Sequence, residues 1–235
     1  MRVEQLCVYP IKSTAPHDLE RARVEPWGLA DDRRWMVVET DGTLITARRE
    51  PALLHVRTQV LGPGRVRVSG EHAPPLDVEA RPAEPLALVT VWSSTVEAST
   101  SPPSADAWFS ALLGRAVRLV WLDDPTRRPV NPAHSRPGDR VSFADGYPLL
   151  LTTSAALTQV NDWITELALE RGEDAADPIT LARGREPLRM LARHRRVGNK
   201  VLFGANLIPD RVDPDDIAAS IAVGDDLTVL ERLPD

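Results

Sequence analysis

The sequence predicts a mainly β protein with a few helices, an α+β chain in which strands dominate. Three observations point there. Proline is abundant, 21 of 235 residues, where about 5% is usual. Spread along the chain, it favours short strands and turns over long helices. Short apolar runs bounded by Gly-, Pro- and Asp-containing turns recur through the first half, and segments with helical apolar spacing are few. Many short strands with few helices suggest a barrel or a sandwich.

The elements follow in order. Arg2–Tyr9 alternates loosely and is stopped by Pro10. Ala22–Pro26, Trp35–Glu39 and Leu44–Thr46 are β-prone, with Thr40-Asp41-Gly42-Thr43 a hairpin turn between the last two. Val56–Leu61 and Val66–Ser69 flank the turn Gly62-Pro63-Gly64. Leu86–Trp92 and Val117–Leu122 add strands, and between them Ala105–Leu113 has helical spacing with Gly114 as its stop. Asp123–Arg140 holds four prolines and seven charges in 18 residues without apolar periodicity, which reads as a linker. Tyr147–Leu151 reads as a buried apolar strand. Thr152 and Thr153 offer caps for an amphipathic helix from Ala155 to about Leu169, with Leu157, Val160, Ile164 and Leu167 on one face. Arg185–Arg196 is a second helical candidate, and Val201–Leu207 and Leu227–Leu230 read as strands.

Composition narrows the function. Hydrophobic residues are 43% and charged residues 26%, which excludes wholesale disorder. A net charge of −6 leaves no basic footprint for nucleic acid. A single cysteine, Cys7, excludes an intrachain disulfide and a multi-thiolate metal or iron–sulfur site. No stretch approaches the roughly 20 apolar residues of a membrane span, and the first residues carry no secretory signal. The expectation is a cytoplasmic protein with neither nucleic acid nor membrane as partner.

The chain carries no Gly-rich phosphate loop, nucleophile elbow or zinc-protease motif. Its five histidines are far apart and read as surface residues. The acidic pairs Asp31/Asp32, Asp123/Asp124 and Asp215/Asp216 read as solvated turns. Two features rise above that background. Pro10-Ile11-Lys12-Ser13 puts one of only two lysines beside a hydroxyl at the end of the first strand. Asp31-Asp32-Arg33-Arg34-Trp35 puts two arginines at the entrance to another strand. A lysine point charge and a planar arginine fork together suit a phosphate; the alternative is a strand-end lysine and a surface Arg–Asp pair.

The order of these pieces resembles a known family. VYPIKS followed by WGLADDRRWMVVETDGTLITARREPAL, then VTVWSSTVEA and DAWFSALLGRAVRLV, resembles the N-terminal β-barrel domain that precedes a MOSC domain. FADGYPLLLTTSAALTQVND looks like the opening of the MOSC domain, and REPLRMLARHRR, FGANLIP and IAVGDDLTVL look like its closing segments. The resemblance implies a β-barrel-like domain over 1–122, a linker over 123–140 and a MOSC β-barrel over 141–235. It points to bacterial MOSC proteins and the mitochondrial amidoxime-reducing component, which bind a molybdenum–pyranopterin cofactor and reduce N-hydroxylated compounds. In that family the Lys-Ser and D-R motifs hold the cofactor's phosphate. The matching positions are Lys12, Ser13 and Arg33, with Asp145, Gly146 and Tyr147 where further cofactor contacts fall.

The chain departs from the family pattern in one place. Members carry a block with R-[FY]-R-P-N and C-x-R-C, one cysteine of which ligates molybdenum. Here ALERGEDAADPITLARGREP runs from the helix straight to Asp177-Pro178. Comparison with the family pattern implies that about 50 residues are absent, roughly three or four strands at typical strand and turn lengths, which shortens the MOSC domain between about 170 and 180 and leaves an incomplete barrel. The metal ligand and the catalytic residues are therefore unassigned. Cys7 reads as a small buried hydrophobe rather than a substitute thiolate. A cut barrel exposes strand edges, and a homodimer through the open edge is one way to cover them. With no cluster-binding cysteines, electrons for any redox reaction come from a separate protein. The sequence keeps a second reading open: a non-catalytic MOSC protein that binds the pterin weakly or serves as a scaffold.

Overall fold

The computed structural model describes residues 1–71, 73–80, 86–170, 191–197, 200–201, 203–210 and 219–230. The expected junction at 170–180, Asp177-Pro178 and Asp215/Asp216 lie outside the described residues. The chain divides into two compact units, Met1–Leu149 with Ile208–Asp235, and Leu150–Leu207. The division therefore follows Leu149, and the proline-rich stretch 123–140 belongs to the larger unit.

The larger unit holds several antiparallel sheets. β1 (Cys7–Val8) pairs with β2 (His17–Asp18), and β3 (Arg21–Glu25) with β4 (Gly28–Leu29). β5 (Trp35–Glu39) then pairs with β11 (Val117–Trp121), which pairs with β10 (Ser94–Thr100) and through it β9 (Ala87–Val91), all antiparallel. β6 (Arg57–Gly62), β7 (Arg65–Gly70) and β8 (Ala73–Glu79) form a second antiparallel sheet. Helix α1 (Pro103–Leu113) ends at Gly114, whose φ of 67° is the left-handed stop its position calls for.

β5 reads WMVVE, apolar on both faces, because both faces are covered. Trp35 and Val37 join Val117, Leu119, Val66, Val68, Val78, Trp108 and Phe109 in one core. Met36 and Val38 join Val89, Val91, Val96, Ala98, Val120, Leu122 and Phe143 in the other. At roughly 1.5–3 kcal/mol for each fully buried large side chain, these two cores dominate the stability of the unit.

The smaller unit holds α2 (Ser154–Glu170), helical residues 191–194, the β13 (Arg196–Val197)–β14 (Lys200–Val201) pair, and β12 (Leu149–Leu151) paired with β15 (Ala205–Leu207). Thr153 Oγ1 accepts from the Ala156 amide at 3.1 Å, the cap its sequence position offers. β16 (Ser220–Ala222) returns to the larger unit and pairs with β3.

The fold is predominantly β with a few helices, as the sequence predicts, and among the described residues each sheet is open. Several elements differ from expectation. β8 was hidden by Pro74 and Pro75, which sit at an irregularity on the sheet edge, where a missing N–H is tolerated. β10 was hidden by its polar composition, STVEAST. Leu44–Thr46 contributes a single bridge, Leu44 to Val38, rather than a strand. Tyr147–Leu151 is not a buried strand: only 149–151 is extended, and Leu150 is 56% exposed because the two-stranded pairing leaves it uncovered. Leu227–Leu230 is not a strand: pairing there is limited to one antiparallel bridge, Arg2 to Asp226, closed by the Leu227 amide on Met1 O.

The turn after β5 needs glycine at its third position. Gly42 has φ 88°, and a Cβ there would stand 2.4 Å from Leu88 O in β9. Gly42→Ala is expected to cost about 2 kcal/mol, lowering the thermal midpoint by about 4–8 °C. An unchanged midpoint in a thermal melt would contradict this packing.

Candidate functional site

The site is assembled at the entrance to β5, where three distant segments share one backbone stretch. Arg33 N donates to Tyr9 O at 2.8 Å, Trp35 N to Pro10 O at 3.1 Å, and Lys12 N to Trp35 O at 2.8 Å. The 9–12 segment is thereby laid along 33–35. Phe143 N donates to Arg33 O at 2.9 Å, which brings the 142–145 segment to the same place. Backbone pairing therefore fixes Lys12, Arg33 and Asp145 together across up to 133 positions of sequence.

The backbone here is strained. Ser13, Asp31 and Arg33 have φ of 70°, 62° and 49°, a region non-glycine residues seldom occupy. Such conformations persist only where the surroundings impose them, and they concentrate at functional sites.

The side chains form a cluster rich in positive charge. Lys12 is 4% exposed, and its Nζ lies 2.6 Å from Asp145 Oδ1. Burial lowers the Lys12 pKa; the Asp145 charge opposes this, while Arg33 and Arg128 add to it. Asp145, with a side chain 72% exposed, also accepts from Trp92 Nε1 at 3.2 Å. Burial would raise its pKa, but Lys12 and Trp92 outweigh that and hold the carboxyl below the usual range. Arg33 donates through Nε to Asp32 Oδ2 at 2.7 Å and through a terminal nitrogen to Pro148 O at 3.0 Å. Asp32 Oδ1 accepts from the Tyr9 amide at 2.8 Å.

Arg128 is 3% exposed and donates to the carbonyls of Ser142, Ala144 and Asp145, while its Nε has no partner. Burial pulls its pKa down to about 10. Ser142 Oγ is also buried without a partner. Arg48 stacks on Trp92, with its guanidinium carbon 4.8 Å from the ring centre.

Four cations thus gather around two carboxylates, one of which is committed to Arg33 and the Tyr9 amide. This arrangement suits a compact anion bearing more than one charge. A phosphate would satisfy donors that now share a single exposed carboxylate oxygen. Molybdenum ligation is a separate matter. Cys7 is half-buried, and burial is the main force raising its thiol pKa. Its own position therefore favours the thiol over the thiolate a metal needs. The hydrogen-bonded Tyr9 hydroxyl is likewise pushed up to about 12.

The sequence-predicted residues fare differently. Lys12, Arg33 and Asp145 are brought together, and Ser13 follows Lys12 in a left-handed turn. Tyr147 packs on Val130, Val141 and Ala144, and nothing lies within 4 Å of where a Gly146 Cβ would stand. Arg34 turns away to the carbonyls of Leu122 and Asp123, between Trp27 and Trp121. Asp32 is not solvated, at 4% exposure, because it is the internal counter-ion of Arg33. Sequence reasoning missed Arg128, Arg48 and Trp92, which carry no local motif; Arg128 lies in a stretch whose prolines and charges read as a linker.

Burial raises the Asp32 pKa, and Arg33 is the largest influence opposing it. Arg33→Met should cost about 3 kcal/mol at pH 8, because it leaves a buried carboxylate without its cation. Removing Arg33 raises the folded-state pKa of Asp32 further, so the penalty is relieved as pH falls through that value. Urea titrations at pH 8 and pH 5 should show the deficit narrowing at the lower pH; a constant deficit would contradict the pairing.

Residues 1–116 match the MOSC N-terminal beta barrel domain. Over 170 residues the chain is 28% identical to mitochondrial amidoxime-reducing component 1 of Danio rerio, covering 68% of this chain and 52% of that protein. The human protein of the same name is 26% identical over the same length, covering 50% of it. Over 121 residues the chain is 29% identical to molybdenum cofactor sulfurase of Danio rerio, covering 49% of this chain and 15% of that protein. The match spans about half the length of the amidoxime-reducing relatives. Among the described residues no helix is long and apolar enough to cross a membrane. Residues 1–116 thus match a MOSC N-terminal beta barrel domain, and the chain is similar to the mitochondrial amidoxime-reducing component and to molybdenum cofactor sulfurase.

Proposed function

We propose that this chain binds a molybdenum–pyranopterin cofactor by its phosphate, with Lys12, Ser13 and Arg33 as the anion-holding residues and Asp145–Tyr147 lying beside them. One observation carries the reading: a buried ammonium and two arginines converge on a site whose nearest carboxylate, Asp145, is exposed and displaceable. Lys12 supplies a desolvated point charge. Arg33 is oriented by Asp32 and Pro148 O, and Arg128 holds the 142–145 carbonyls in place. When bound, the cofactor supplies the two electrons that, with two protons, turn an N–OH into N–H and water. The reading sets this reaction in the cytoplasm with a separate electron-donor protein, and the chain is proposed to lack the family's cysteine block between about 170 and 180.

The protonated state favoured at Cys7 supports a second reading, a non-catalytic protein that holds the pterin without turning over substrate. Both readings are tested on protein purified from a cofactor-producing host, by elemental molybdenum and by fluorescence of the oxidised pterin. Wild type is expected to carry pterin, and folded Lys12→Ala to carry at least tenfold less. Equal pterin in the two proteins would refute the pocket. Pterin with stoichiometric molybdenum, unchanged in Cys7→Ser, would select the reductase over the carrier; pterin without metal would select the carrier.

A further inference from the structure

We infer that Trp92, with Arg48 stacked on it, forms a second subsite beside Lys12 that receives a planar ring carried on a phosphate ester. The inference rests on the phosphate-pocket reading and extends it to ring recognition.

Trp92 occupies the first position of the two-residue turn between β9 and β10, where Val91 pairs with Ser94. Its φ is 53°, a conformation such turns assign to glycine or asparagine, and for a bulky side chain it is a clear outlier. Core burial does not compensate, since the residue is 47% exposed. The turn calls for the positive φ but not for an indole, and the core does not use the indole, the pattern expected where a side chain is held for a ligand.

The ring is held in advance. Its Nε1 donates to Asp145 Oδ1, the same oxygen that receives Lys12 Nζ. The Arg48 guanidinium carbon lies 4.8 Å from the ring centre and Lys12 Nζ lies 5.7 Å from it. An exposed indole fixed by a hydrogen bond and a stacked guanidinium presents a rigid π surface, so little freedom remains to be lost on binding. The 5.7 Å separation fits a ligand whose phosphate is joined to a ring directly or through one carbon. Two sources share this chemistry: a compact ring ester such as a pterin phosphate, and a nucleotide, whose base stands a ribose further away.

Calorimetric titration with inorganic phosphate, phenyl phosphate and guanosine 5′-monophosphate tests the subsite on wild type, Trp92→Gly, Trp92→Phe and Lys12→Ala. Glycine suits φ 53°, so Trp92→Gly should fold with an undiminished thermal midpoint. Wild type is expected to bind phenyl phosphate about tenfold more tightly than inorganic phosphate, the scale of one aromatic stack. Trp92→Gly should lose that preference, binding phenyl phosphate no more tightly than inorganic phosphate, and Trp92→Phe should retain most of it. A preference that survives in Trp92→Gly, or is absent in wild type, overturns the inference. A larger Trp92-dependent gain with the nucleotide supports the subsite and names nucleotides as its occupants; a smaller one supports it and names compact ring esters. Undiminished inorganic phosphate binding in Lys12→Ala would instead overturn the pocket itself.

Discussion

The backbone pairing at residues 33–35 is the constraint on which the site depends. The amides of Arg33 and Trp35 reach the 9–10 carbonyls, Lys12 reaches back to Trp35, and Phe143 closes on Arg33 O. Immediately after this clamp, β5 enters the two cores and is buried on both faces. A strand buried on both faces is thus continuous with the segment that aligns Lys12, Arg33 and Asp145. Rigid support of this kind holds charged groups near one another at a cost that flexible loops could not sustain.

That cost is electrostatic. Lys12 and Arg128 are almost wholly buried, and burial lowers the pKa of both. Arg128 meets carbonyls rather than a carboxylate, and Lys12 meets a carboxylate that is itself exposed. Buried charges without close counter-ions destabilise a fold. An arriving dianion would provide the missing charge, and the stability gained on binding would be large where the empty site is least compensated. The strained backbone at Ser13 and Arg33 belongs to the same balance, in which local stability is given up for a preformed site.

Much of this was legible in the sequence, and the rest was not for physical reasons. β5, β7, α1 with its Gly114 stop, and the pairing of Lys12 with Arg33 were visible because apolar runs, turn residues and a two-lysine background are local signals. β8 escaped because prolines on an edge strand resemble a loop. Arg128 escaped because its importance lies in the carbonyls it meets 14 to 17 positions away. Asp32 read as a solvated turn because local sequence does not reveal that Tyr9 and Arg33 enclose it.

The central claim is that the Lys12 ammonium receives a phosphate. The chain has only two lysines, Lys12 and Lys200, so side-chain nitrogen NMR of protein labelled with 15N-lysine can follow Lys12 directly, with Lys200→Arg giving the assignment. On titration with inorganic phosphate, the account predicts a saturable shift of the Lys12 Nζ signal and a rise in its pKa as the anion joins Asp145 or replaces it. A Lys12 signal indifferent to phosphate, while the protein remains folded, would contradict the account.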